Sequence, residues 1–344
     1  MCFKLGQLTT IVLSLPDIAK EVLQAHDLLF SDRTVPLATT VHNHNHYSLP
    51  FLPISPLWRD LRKICNNQLF SHKSLDASQN LRRMKLHELL DDVHASSLSG
   101  EAVDIGTMAF RASINFLSNT FFSLDFVNSV GEAEEYKSIV ENLGRAIATP
   151  NLEDFLPLLN MVDPQGIRRR AAIYVSKLFA IFDCLIHKRL KFGNVSNADD
   201  MLDTLLNISQ EDGQKMNHQK IKHLLLDLIV AGTDTTSYTM EWAMAELIKN
   251  PDTMSKAKGE LEQTIGIGNP IEEADISRLP YLHAIIKETL RMHPGAPLLL
   301  PRKAKIDVEI NGYTVPQGAQ IVINEWAIGR NPSIWDNPNL FSPE

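Results

Sequence analysis

Apolar residues recur at spacings of three and four through 57–70, 81–93, 171–190, 221–248 and 281–292, which predicts five amphipathic helices. Near the N-terminus the period changes to two over 8–14, predicting a strand, and Pro16 and Asp17 then suit the first turn of a helix. A second alternating stretch, IDVEINGYTV, brackets Asn311–Gly312, the dipeptide best suited to a tight hairpin. The fold class expected is therefore mainly α with small β-sheets. There is no internal repeat, heptad pattern or Gly/Ser-rich linker, so residues 1–344 are expected to form a single domain.

The longest apolar run, 224–232, is interrupted by Asp227 and is far shorter than the roughly 20 residues that cross a bilayer. The first residues lack the basic, apolar and small-residue succession of a signal peptide. With 44% hydrophobic and 22% charged residues, the composition excludes a disordered or collagen-like chain. An excess of 41 acidic over 33 basic residues disfavours nucleic acid as a partner. Cys2, Cys65 and Cys184 stand far apart with no metal-ligand spacing, which argues against structural zinc and a disulfide framework.

Three segments carry candidate chemistry. The stretch from Asn217 to Pro251 would make a helix about 50 Å long. On it, Ile221, Leu225, Leu228, Gly232 and Thr235 fall within roughly 80° of one another, a stripe with a gap at Gly232 and a hydroxyl at Thr235. A ligand could sit against that gap. Two shorter helices capped at Asp234 or Thr236, or a glycine that admits a neighbouring helix, are the plainer readings. In ETLR, Glu288 and Arg291 are spaced to pair along one helix, which by pattern alone is a solvated ion pair. In WRDLRK, Trp58 and Arg62 share a helix face and could offer an indole N–H and a guanidinium to an anion, or simply stack on each other. His42, His44 and His46 would share one side of a strand, but their Asn and Pro neighbours suggest a loop, so a metal-dependent hydrolase built on them is the weakest reading.

Taken in order, WRDLRK at Trp58–Lys63, AGTDTT at Ala231–Thr236, ETLR at Glu288–Arg291, HPGAPLLLPR at His293–Arg302 and the final NPNLFSPE resemble cytochrome P450. The similarity is closest to the plant microsomal type that includes geraniol 8-hydroxylase and ferruginol synthase, and it covers the whole chain. It implies a haem-thiolate monooxygenase that hydroxylates a lipophilic plant metabolite, a terpenoid, with O2 and electrons from an NADPH-cytochrome P450 reductase. By the resemblance, haem b lies against Ala231 and Gly232 on the long helix. Asp234 and Thr235 match the acid and alcohol that supply protons for O–O cleavage. Trp58, Arg62 and Arg302 match the residues that hold the haem propionates, and Glu288 and Arg291 a buried structural brace. Substrate would touch the loop 46–56, the stretch Leu226 to Ala231 and the stretch Pro297 to Leu300, with Phe51, Leu52, Ile54, Leu298, Leu299 and Leu300 an apolar set suited to a terpenoid or similar alcohol. Arg59 and Lys63 could help dock the reductase. The full-length family sits on the cytosolic face of the endoplasmic reticulum membrane.

In that family the iron ligand is a cysteine in a Phe- and Gly-rich loop beyond the position of Glu344, and none of the three cysteines present has that context. The resemblance thus implies a partial domain truncated at both ends, lacking the N-terminal anchor, the ligand loop and the helix after it. The thiolate drives O–O cleavage, so the chain by itself is expected to be inactive as an oxygenase. The alternative is a non-catalytic ligand- or partner-binding protein.

Overall fold

The computed structural model describes residues 1–193, 200–213 and 216–344. Strands β1 (Cys2–Leu5) and β2 (Leu8–Leu13) lead into α1 (Pro16–Lys20) and β3 (Asp32–Arg33). A helical region follows: α2 (Pro56–Gln68), α3 (His72–Ala77), α4 (Gln79–Ser99), α5 (Ile105–Phe122), α6 (Val130–Ala148), α7 (Leu152–Phe155) and α8 (Ile167–Phe192). It continues through α9 (Met201–Glu211), α10 (His218–Lys249), α11 (Pro251–Thr264) and α12 (Pro280–Met292). Strands β4 (Arg302–Lys303), β5 (Val308–Ile310), β6 (Tyr313–Val315) and β7 (Gln320–Ile323) precede a short α13 (Glu325–Ile328).

The predicted helices are all present, and the hairpin turns at Asn311 and Gly312 with positive φ at both, as a type I′ turn requires. Helix α10 is one continuous rod of 32 residues, not two helices. Thr233, Thr235, Thr236 and Thr239 donate their hydroxyls to the carbonyls four residues back, at 2.7 to 3.1 Å. Their competing hydrogen bonds are thus absorbed inside the helix instead of ending it. Helix α5 gave no stripe in the sequence because it is buried on several faces, from Gly106 and Phe110 to Asn115 and Phe122.

The main core joins α5, α6, α8, α9 and α10 through Phe110, Phe121, Leu143, Phe182, Leu205 and Leu225. Each fully buried side chain of this size contributes about 1.5–3 kcal/mol. A separate apolar cluster of Val22, Phe30, Ile310 and Ile321 underlies a mixed five-stranded sheet of order β1-β2-β7-β4-β3. In that sheet β2 runs parallel to β7, and the short β3 pairs antiparallel with β4 so that Arg33 lies opposite Arg302. The sheet and the helical core meet around the loop 49–54 and the middle of α10.

Candidate functional site: two adjoining cavities beside the central helix

The middle of α10 forms one wall of an apolar cavity of about 190 Å³, where Leu226, Asp227, Val230 and Ala231 face Phe51, Val175 and Leu300. Along a helix, positions 227 and 231 stack one turn apart, so Asp227 and Ala231 belong to one face, which continues to Thr235. The Thr235 hydroxyl donates to the Ala231 carbonyl at 2.7 Å, leaving its oxygen lone pairs free to accept. A Cβ on Gly295 would lie 3.9 Å from the Thr235 methyl, so the segment after α12 passes this face closely.

A second cavity of about 390 Å³ adjoins the first at Pro50 and is polar in character. Arg33, Arg62, Arg302, Trp58 and Asp27 line it. Cross-strand pairing places Arg33 opposite Arg302, and like charges in that register repel. Burial, and then the charge of Arg302, hold the Arg33 guanidinium below its usual pKa, and burial does the same to Arg302. Their backbone-directed bonds fix them in place: Arg33 donates to the Leu300 carbonyl at 2.9 Å and Arg302 to the Phe30 carbonyl at 3.2 Å. Three arginines against one aspartate leave a surplus of two positive charges in the lining. A group bearing two carboxylates would relieve that repulsion, and guanidinium geometry suits it.

Behind the site, Glu288 and Arg291 of α12 form a bidentate pair with both contacts at 2.7 Å, each side chain less than a tenth exposed. Arg291 also donates to the carbonyls of Gly329 and Pro338 at 2.5 and 2.8 Å, and Glu288 accepts the Ser342 N–H at 2.9 Å. The solvated pair suggested by helix spacing alone is replaced by a buried clasp, because the segment 329–342 folds back over it.

Several expected positions differ in the structure. The gap at Gly232 faces α5: a Cβ there would stand 2.7 Å from Leu117 Cδ1, and Gly232 and Leu117 together line a further apolar cavity of about 310 Å³, while Ala231 lines the cavity with Phe51. Asp234 lies off the Ala231–Thr235 face. Burial raises its pKa, with the charge of Lys137 on α6 acting the other way. Of the apolar residues expected near substrate, Phe51 and Leu300 line the apolar cavity and Leu52 lines the arginine cavity, while Leu298 and Leu299 line neither. His42, His44 and His46 share no face, since the segment Leu37–His46 forms 3₁₀ turns broken by left-handed His42 and Asn43. Among the described residues no group of three His, Cys, Asp or Glu could hold a metal ion. None of Cys2, Cys65 or Cys184 lines either cavity. Arg33 is not a candidate in the sequence, His44 figures there only as a possible metal ligand, and Asp227 only as the break in an apolar run. Only strand register, and the single acid inside the apolar run of α10, could have marked Arg33 and Asp227.

The sequence profile of the cytochrome P450 family matches residues 1–344. The chain belongs to the cytochrome P450 family. It is 49% identical over 346 residues to geraniol 8-hydroxylase of Catharanthus roseus, covering all of this chain and 70% of that enzyme. To ferruginol synthase of Salvia miltiorrhiza it is 44% identical over 349 residues, again covering all of this chain and 70% of the relative. Its fold matches a zebrafish cytochrome P450 solved with progesterone at a TM-score of 0.84 and 24% identity, over all of this chain and 79% of that one. As a cytochrome P450 the protein is a monooxygenase, and the family's cofactor is haem. The dianionic complement of the arginine cavity fits the two propionates of that group, and the exposed Ala231–Thr235 face fits its apolar ring.

Proposed function

We propose that this cytochrome P450 hydroxylates a lipophilic plant terpenoid, with electrons passed from NADPH through a separate reductase. The observation that carries this reading is the pairing of an apolar cavity along Leu226–Ala231 with an arginine-lined cavity next to it. Arg33, Arg62, Arg302 and Trp58 would hold the haem propionates, and Ala231 with Thr235 would line its face. When bound, the haem supplies activation of dioxygen for insertion of one oxygen atom into a C–H bond. The chain's own residues do the rest. Phe51, Val175, Leu226 and Leu300 exclude water and surround the substrate. The Thr235 hydroxyl, tied to the Ala231 carbonyl, holds a proton at its Oγ1 beside the reacting carbon. Asp234, whose pKa burial raises, exchanges protons with solvent one residue away. The Glu288–Arg291 clasp keeps the segment 329–342 seated behind the site.

The exposed basic side chains Arg59 and Lys63 on α2 suit an acidic reductase surface. Residence on the cytosolic face of the endoplasmic reticulum is supported by an exposed apolar patch in which Leu158 and Met161 are 90% and 94% exposed. Phe3 and Leu5 of β1 extend it, held there by the bond from Gln7 N to the Phe155 carbonyl at 3.0 Å. Among the described residues no helix is long and apolar enough to cross a membrane. The test is reductase-supported oxidation of geraniol by the haem-loaded full-length protein, which carries the family's cysteine ligand loop. A hydroxylated product that disappears in Thr235→Ala or Val175→Phe supports the proposal, and product formation indifferent to both substitutions overturns it.

A further inference from the structure

The apolar cavity has one polar wall, made by Asp227 of α10 and His44 of the segment Leu37–His46, and the proton-handling role given to Asp234 and Thr235 does not use it. Asp227 Oδ1 accepts the Ser48 hydroxyl at 2.8 Å and lies 3.1 Å from His44 Nε2. Among the described residues Asp227 Oδ2 accepts one hydrogen bond, from the Leu49 N–H at 2.8 Å. A carboxylate oxygen offers two lone-pair directions, so Oδ2 keeps one.

The donors around it are spoken for. His44 Nδ1 meets His223 Nδ1 at 2.8 Å, and His223 Nε2 meets the Gln219 amide at 3.5 Å. Burial holds His223 neutral, with a pKa pushed down to about 3, so the pair shares one proton between its facing nitrogens. The network therefore has spare accepting capacity at Asp227 and no donor left over. The complementary ligand group is an O–H donor: an alcohol fits, while an ether, a ketone or a carboxylate does not.

We infer that Asp227 Oδ2 is the anchor for a hydroxyl group on the substrate, and that this anchor selects which carbon is oxidised. The inference rests on reading the apolar cavity as the substrate site. Asp227, Ala231 and Thr235 follow one another at single-turn intervals, so Asp227 and Thr235 are separated by about 12 Å along the helix. An alcohol held at Asp227 presents its remote end, not its carbinol carbon, at the level of Thr235. Removing the anchor frees the chain to slide, and oxidation spreads over several positions.

The experiment compares geraniol with its O-methyl ether, which has the same carbon skeleton and no O–H donor. Binding of each to the haem-loaded protein is measured by equilibrium dialysis, a readout independent of turnover. The alcohol is expected to bind at least tenfold more tightly than the ether, and the ratio to fall to near one in Asp227→Ala. In Ser48→Ala, which loosens the loop but leaves Asp227 Oδ2 intact, the ratio persists even if both probes weaken. A wild-type ratio near one, or a ratio retained in Asp227→Ala, overturns the inference. The wild-type ratio decides the matter even if Asp227→Ala does not fold, because no substitution enters it. Val175→Phe, which fills the cavity, separates the two levels. If it expels both probes while they bind wild type equally, the cavity reading stands and the anchor fails. If neither probe binds wild type, or both bind regardless of Val175→Phe, the cavity reading fails and the anchor with it.

Discussion

Glu288→Ala isolates the energetic role of the buried clasp. The substitution removes both 2.7 Å contacts to Arg291 and the acceptor for Ser342 N–H. Arg291 Nη1 and Nη2 keep carbonyl partners at Gly329, Pro338 and Leu340, but its Nε–H loses its acceptor and its charge loses the carboxylate that pairs with it among the described residues. An orphaned buried charge of this kind costs about 3–5 kcal/mol, against less than about 1 kcal/mol for an exposed pair at the same helix spacing. Glu288→Gln retains an acceptor and the shape, and is expected to cost about half as much. The assay is urea unfolding followed by far-UV circular dichroism, with Arg291→Ala and the double variant completing a cycle whose coupling energy is about 1–3 kcal/mol. A loss below about 1 kcal/mol in Glu288→Ala, with no coupling to Arg291, would refute the buried-clasp account.

Three other outcomes follow from local geometry. Gly232→Ala gains about 1 kcal/mol of helix propensity but pushes on Leu117, so it is expected to be near neutral, whereas Gly232→Val costs about 2 kcal/mol and Leu117→Ala rescues it in thermal unfolding. His223 is depressed to about 3 by burial and then by the charges of His44, Lys222 and His42, so the unfolded chain binds its proton first as pH falls. Stability is therefore full above about pH 6.5 and is lost at about 1.4 kcal/mol per pH unit between there and about 3, a slope that His223→Asn should reduce in urea titrations at several pH values. Burial pushes the Cys65 thiol up to about 11, so iodoacetamide at pH 8 should label exposed Cys2 and Cys184 but reach Cys65 only after unfolding, as peptide mapping would show.

Much of this architecture was legible because it rests on periodicity. The stripes of α2, α8, α10 and α12 and the Asn311–Gly312 turn carry their signals locally. Helix α5 did not, since burial on several faces removes the contrast that periodicity detects. The same limit governed the site. Trp58 and Arg62 share a helix turn and could be paired by eye, but Arg33 reaches them only through the β3–β4 register, across 269 residues of chain from Arg302. Spacing locates the missing side chain at Gly232 but not its neighbour, and Leu117 of α5 stands against it beside an apolar cavity. The histidine-rich segment misled in the opposite way. Alternation suggested one shared face, while left-handed His42 and Asn43 turn His44 inward to Asp227 and leave His46 outside.

The central claim is that Arg33 and Arg302, forced together across β3 and β4, form the seat of the haem propionates. Titrating haemin into the purified protein and following its Soret absorbance tests it directly. The account predicts one haem per chain, with affinity reduced at least tenfold in Arg33→Gln/Arg302→Gln, a loss of about 1.4 kcal/mol or more, and unchanged in the surface control Lys20→Gln. Equal affinity in wild type and the double-arginine variant would contradict it.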